Sequence, residues 1–177
     1  IGRCTAHELA ALGANVVIAG RAAPHLAPVR GDIVEDGGEV MAMACDIREE
    51  AMVVATIDAT LAKYGRIDGL VNNAGLLIKQ DWGGWTMDDL QRLFLLNAAV
   101  PLLLTQALSD RLGGDPVGHV VNIGSMGGFQ GSVKFPGLAG YSASKAAAAN
   151  ITECMAEELK DSAVRCNCIC LGAVDTA

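Results

Sequence analysis

Gly140-Tyr141-Ser142-Ala143-Ser144-Lys145 is the stretch on which the interpretation of this chain turns. Tyr141 and Lys145 are four apart, so on a helix they lie on one face, one turn apart. A free phenol titrates near ~10, too high for acid–base work at neutral pH. A fixed ammonium beside it favours the phenolate and lowers that value. A phenol tuned in this way gives a proton to a carbonyl oxygen or takes one from an alcohol. The same spacing also arises on ordinary helix surfaces, so its weight depends on what surrounds it.

Outward from this stretch, the chain alternates strands and helices. The Tyr141 helix is expected to run to Asp161. Before it, Gly118 to Ile123 is a strand ending at Gly124-Ser125. After it, Val164 to Cys170 is the last strand, followed by Leu171-Gly172-Ala173-Val174-Asp175-Thr176. Upstream, strands are expected at 15–19, 39–44 and 68–71, the third running into Asn72-Asn73-Ala74-Gly75. Helices are expected at 2–12, with an apolar stripe of Ala6, Leu9, Ala10 and Leu12, at 24–36 and at 48–64. Gly13, Gly37-Gly38 and Gly65 stop them. Thr86 caps a long helix to about Leu112, with Asp88 and Asp89 at its positive end and Pro101 as a possible kink.

This alternation, with no internal repeat or linker, predicts an α/β fold with a parallel sheet and right-handed crossovers. Ligands in such sheets bind at the carboxyl ends of the strands. Arg21, Asp46, Asn73, Ser125 and the 172–176 loop all fall there.

Composition agrees. Of 177 residues, 51% are hydrophobic, only 4% are aromatic and 21 are glycines, which suits a buried parallel sheet covered by helices. The formal net charge of −7 argues against a nucleic-acid surface, which needs clustered Lys and Arg. No apolar run approaches the length of a membrane span, so no membrane partner is expected. The six cysteines show no Cys-x-x-Cys spacing and the three histidines are scattered, so no metal site is expected. Cys166, Cys168 and Cys170 alternate along one strand and share a face, which disfavours pairing among them. Buried free thiols suit a reducing compartment, and the expected location is the cytoplasm.

Asn72-Asn73-Ala74-Gly75, Asn97, Ser125 and Tyr141-x-x-x-Lys145, in that order, resemble the short-chain dehydrogenase/reductase family, in the branch marked by an Asn-Asn-Ala-Gly turn. The resemblance covers essentially the whole chain. It implies a Rossmann-like, doubly wound parallel sheet in a single domain, residues 1–177. By this comparison the family's first strand, most of its glycine loop and its last elements are missing, so a partial domain is expected.

The resemblance also implies roles. Tyr141 matches the general acid/base. Lys145 matches the residue that lowers the tyrosine pKa and binds the nicotinamide ribose. Ser125 matches the hydroxyl that bonds the substrate oxygen. Asn97 matches the asparagine that bends the long helix and holds a water leading to the lysine. For the cofactor, Gly2 matches the end of the phosphate loop. Asp46, with Ile47, matches the adenine contact. Asn73, Ala74 and Gly75 match the adenosine ribose side, and Val174 and Thr176 the carboxamide loop. Arg21 stands where NAD-preferring members carry an acid, so NADPH is expected over NADH. Leu171-Gly172 replaces the usual Pro-Gly, with Gly172 expected to keep the backbone freedom of the turn.

The implied reaction is reversible reduction of a ketone or aldehyde. The implied partners are a small carbonyl or alcohol substrate and a second copy, in a homodimer or homotetramer. A nucleotide-binding relative without turnover is the alternative, and an epimerase or dehydratase a third. Phe129, Lys134, Phe135 and Leu138 either face the substrate or pack on the subunit. Trp82 and Trp85 form either a substrate wall or a loop anchor.

Overall fold

The computed structural model describes residues 1–175, so Thr176, one of the expected carboxamide contacts, lies outside the described residues. The chain forms two compact units, residues 1–66 and Ile67 onward.

In the first unit the order is α1 (Gly2–Ala11), β1 (Val16–Gly20), α2 (Ala23–Glu35), β2 (Val40–Ala44) and α3 (Glu50–Tyr64). β1 and β2 pair in parallel, from Val16 opposite Val40 to Gly20 opposite Ala44. Ala6 and Ala10 of α1 bury against Val16, Ile33 and Val40. The rest of the expected stripe does not: Leu9 is 39% exposed and Leu12, past the helix end, 83%. The chain has already turned there, because Gly13 takes φ +87°, which a glycine adopts without strain. Gly65 ends α3 in the same left-handed conformation.

In the second unit the order is β3 (Gly69–Asn72), α4 (Met87–Phe94), a π-helical turn (Leu95–Ala99), α5 (Val100–Leu108), β4 (Gly118–Ile123), a 3₁₀ turn (Met126–Gly128), α6 (Ala139–Glu158) and β5 (Val164–Ile169). Its sheet runs β3-β4-β5, all parallel, with Asn72 opposite Asn122 and Asn122 opposite Cys168. Thr86 caps α4 through a capping box: Asp89 N donates to Thr86 Oγ1 (3.1 Å), and Thr86 N to Asp89 Oδ2 (3.2 Å). The Thr86 hydroxyl, donating to the same carboxylate, holds the Asp89 pKa below its ordinary value.

The expected parallel α/β architecture is therefore present, with its five described strands divided between two sheets. The long helix is bent at Asn97, as the resemblance implied, and it is shorter than expected. Its irregularity is the π turn around Asn97, and Pro101 follows that turn directly, in the first turn of α5. It ends at Leu108. As a continuous run, Met87–Leu108 spans 22 residues, and an 18-residue stretch of it reaches a mean hydropathy of 1.2, so by length and composition it meets the minimum for a membrane span, contrary to the expectation from sequence. Buried Asn97 and Thr105 within that run are satisfied by protein partners, as in the core helix of a globular fold.

Candidate active site

Each strand end carries a residue expected at the site. Arg21 follows β1 directly, Asp46 comes two residues after β2, and Asn73 follows β3. Ser125 comes two residues after β4, and Gly172 three after β5. In parallel strands these ends all point one way within each sheet.

The centre of the second unit is α6. Lys145 is buried, and its ammonium donates to the Ile123 carbonyl at the end of β4 (2.6 Å). Burial pushes the Lys145 pKa below its ordinary value, and the thiols Cys168 and Cys170 offset this in part. Ser144, fully buried, donates to the Tyr141 carbonyl (2.7 Å) and accepts from Asn97 Nδ2 (2.9 Å). Tyr141 itself is half-buried.

Asn97 is the hub between the π turn and the loop after β3. Its Oδ1 accepts from Leu76 N (2.7 Å), and its Nδ2 donates to Leu76 O (2.8 Å) as well as to Ser144. The π turn widens the helix by one residue at this buried amide. Gly75 lies against the same groups: a Cβ built there would fall 3.3 Å from Asn97 Oδ1 and 3.4 Å from Lys145 Nζ.

Ser125 is brought to α6 by two glycines. Its Oγ accepts from Gly127 N (3.1 Å), so its own hydrogen stays available to donate. A Cβ on Gly127 would lie 3.2 Å from Ser142 Oγ and 3.4 Å from Ser125 Oγ. A Cβ on Gly128 would lie 2.6 Å from both Lys145 C and Ala146 N, so the turn's backbone rests directly on the backbone of α6. The structure thus gathers Asn97, Ser125, Lys145 and Gly75 around the first turns of the helix that carries Tyr141.

Other expectations resolve individually. Trp85 is the anchor, since a Cβ on Gly140 would strike its ring (Cζ3, 2.7 Å). Trp82 is 89% exposed. Phe129 and Phe135 are exposed, while the Lys134 ammonium bonds its own loop. Gly172 has no positive φ, and a Cβ there meets nothing, so the turn does not use the freedom expected of it. Val174 is exposed. The cysteines depart from the buried state expected of them: Cys4 and Cys154 are exposed, Cys168 and Cys170 are half-buried, and only Cys45 and Cys166 are fully buried. Burial pushes the Cys168 thiol up to about 11.

Two buried residues, Asn122 and Thr152, were not singled out from sequence, and Asn72 was read only as part of its turn. Asn72 Nδ2 donates to Asn122 Oδ1 (2.7 Å), Asn122 Nδ2 to Thr152 Oγ1 (2.8 Å), and Thr152 Oγ1 to Ala148 O (2.7 Å). This chain ties β3 and β4 to α6 two turns below Lys145. Polar residues inside otherwise apolar strands were the available signal, since burial requires them to be bonded.

In the first unit, Asp46 Oδ1 accepts from Arg48 N (3.1 Å) and Arg48 Nε (2.9 Å). These bonds lower the Asp46 pKa to about 2, with a small contribution from the charge of Arg21. α1 begins at Gly2 with no side-chain cap and no acid in its first turn. Its leading N–H groups therefore fit an anionic phosphate. In the second unit the Lys145 ammonium has three donors and spends one on Ile123, which leaves two that fit a ribose diol.

A family model described as short chain dehydrogenase matches residues 1–177. The chain is 34% identical to a 3-oxoacyl-[acyl-carrier-protein] reductase of Synechocystis sp., over 99% of its own length and 70% of that protein's. Among solved structures, a dehydrogenase/reductase from Sinorhizobium meliloti 1021 superposes with a TM-score of 0.90 at 30% identity, over 98% of this chain and 68% of that one. A metagenomic short-chain oxidoreductase in complex with NADP gives 0.81 at 31% identity, over 98% and 76% of the two chains. An NAD⁺-bound xylitol dehydrogenase gives 0.88 at 30% identity, over 97% and 65%. Similarity that runs the length of the chain, on a parallel α/β framework with these strand ends, places it in the short-chain dehydrogenase/reductase family, the NAD(P)-dependent oxidoreductases.

Proposed function

We propose that this oxidoreductase reversibly reduces a ketone or aldehyde to the alcohol, with NADPH preferred, and that residues 1–177 serve as its dinucleotide-binding oxidoreductase domain. The observation that carries the proposal is the seating of the Ser125 turn on α6 through Gly128, beside Lys145 and on the helix of Tyr141. A hydroxyl donor, a phenol and an ammonium on one rigid support are what carbonyl reduction asks of a protein.

In this reading Ser125 donates its free hydrogen to the substrate oxygen and orients it. Tyr141 protonates that oxygen as it gains charge. Lys145 holds the ribose with its two remaining donors, and its charge favours the phenolate left on Tyr141. Asn97 keeps Leu76 and Ser144 in place, and the second lone pair of its Oδ1 is available to a water serving Lys145. The nicotinamide, when bound, supplies the hydride to the carbonyl carbon.

For the cofactor we assign Gly2, Arg21, Asp46 and Ile47 in the first unit, and Asn73, Ala74, Gly75, Tyr141, Lys145 and Val174 in the second, with Thr176 added on the family pattern alone. Support for NADPH is Arg21 directly after β1, where a guanidinium meets a 2′-phosphate. We further propose a homodimer or homotetramer, supported by the exposed Phe94, Leu95, Leu102 and Leu103 of the long helix. A cytoplasmic location is supported by six free thiols.

Tyr141→Phe tests the reading. It should lower carbonyl reduction by about 10²–10⁴-fold and leave NADPH affinity nearly unchanged by calorimetry. Unchanged turnover removes Tyr141 from the mechanism.

A further inference from the structure

The loop between β4 and α6 contains a clip that the reaction, as described, does not use. Lys134 Nζ lies 2.8 Å from Gly127 O, 2.6 Å from Phe129 O and 2.8 Å from Ser132 Oγ. Ser132 Oγ lies 2.5 Å from Met126 O and 2.8 Å from Phe129 O. An ammonium only donates, so Ser132 accepts from Lys134, and its single hydrogen goes to a carbonyl. Met126 offers the nearer one.

The direction of these bonds matters. The Met126 carbonyl belongs to the peptide whose N–H is that of Gly127. That N–H donates to Ser125 Oγ (3.1 Å). A charge on Lys134 therefore polarises Ser132, then the 126–127 peptide, then the Gly127 N–H, each hydrogen pointing toward Ser125. Such chains strengthen by about 10–30% per bond. With its oxygen engaged as acceptor, Ser125 is left in the donor orientation, and the electron density drawn from that oxygen makes its own hydrogen a better donor.

We infer that Lys134 and Ser132 are positioning residues for Ser125: they clamp the 126–129 turn and fix the Ser125 hydroxyl as a hydrogen-bond donor to the substrate oxygen. The inference rests on the carbonyl-reductase reading of the site. It also resolves the two roles open for Lys134 from sequence. Its cation is spent on its own loop.

The test uses the full-length protein, with Lys134→Met, Ser132→Ala and Lys134→Arg. NADPH consumption is followed with ethyl acetoacetate and with cyclohexanone, and the Gly127 amide proton is followed by NMR. Lys134→Met and Ser132→Ala should move that proton upfield and lower kcat about tenfold, with the NADPH dissociation constant within about twofold of the parent. Lys134→Arg, which keeps a donor cation, should recover most of both signals. Unchanged Gly127 shift in Lys134→Met overturns the clip. A parallel loss of NADPH affinity overturns it too, since that would be general loosening of the loop. If the parent reduces neither carbonyl, the functional reading fails, and the Gly127 shift still decides the clip.

Discussion

The ammonium of Lys145 donates to the carbonyl of Ile123 at 2.6 Å, joining α6 to the end of β4. The sequence motif suggested a lysine directed chiefly at Tyr141. The structure anchors it on the strand, buried, with Cys168 and Cys170 as the other ionisable groups acting on it. An anchored ammonium keeps a fixed place, which serves a reaction better than a mobile one.

A pH dependence follows from this burial. The folded Lys145 pKa is lowered, so the folded protein sheds this proton at a pH where the unfolded chain still holds it. The unfolded value is about 10.4. Between the two values the unfolded state binds more protons, so stability rises with pH through that window. Activity moves oppositely: reduction of a carbonyl should fall on the alkaline side at a pH below the ordinary lysine value. A pH–rate profile with an alkaline limb at or above that value would contradict it.

The glycines at α6 separate packing from function. Gly128→Ala sets a methyl 2.6 Å from the backbone of Lys145 and Ala146, which has no rotamer to yield. It should cost about 1–3 kcal/mol and reduce turnover, by denaturant titration and kinetics. Gly75→Ala meets only the ends of the Asn97 and Lys145 side chains, at 3.3 and 3.4 Å. It should leave stability within about 1 kcal/mol while weakening NADPH. An equal stability loss in both variants would refute the distinction.

The proposed preference for NADPH rests on Arg21. Arg21→Asp should weaken NADPH more than NADH, because a carboxylate repels a 2′-phosphate and accepts from a 2′-hydroxyl. Calorimetry with both nucleotides measures it, and equal losses would sink the assignment.

Asp46 should set part of the acid limit of stability. Its pKa falls to about 2 when folded, from an ordinary carboxylate value near 3.8, chiefly through the Arg48 side chain. The stability it contributes is present above the unfolded value and disappears as pH falls through the folded one. Thermal unfolding of the parent and Asp46→Asn should differ at pH 5, and the difference should shrink as pH falls toward 2. A gap as wide at pH 2 as at pH 5 would assign the effect to something other than this charge.

Much of the framework was legible in the residues alone. The β4 bounds matched, and the other elements fell within a few residues of their expected ends, because apolar periodicity, Thr86 and the closing glycines act locally. Leu9 and Leu12 misled, since a helical stripe says which face is apolar and not how much of it is covered. The π turn at Asn97 was visible only as a bend, because one inserted residue leaves no mark on composition.

The order of strands and helices, the placement of Arg21, Asp46, Asn73 and Ser125 just past strand ends, and the one-turn spacing of Tyr141 and Lys145 are written in the residues themselves. These depend on neighbours a few residues away. The company those residues keep comes from the folded arrangement alone: Ile123 under Lys145, Leu76 and Ser144 on Asn97, Gly128 against α6, Thr152 on Asn122. Most of these contacts join elements about 20 or more residues apart. They exist because strand register and helix seating bring donors to acceptors, and burial leaves such polar groups costly unless they are bonded.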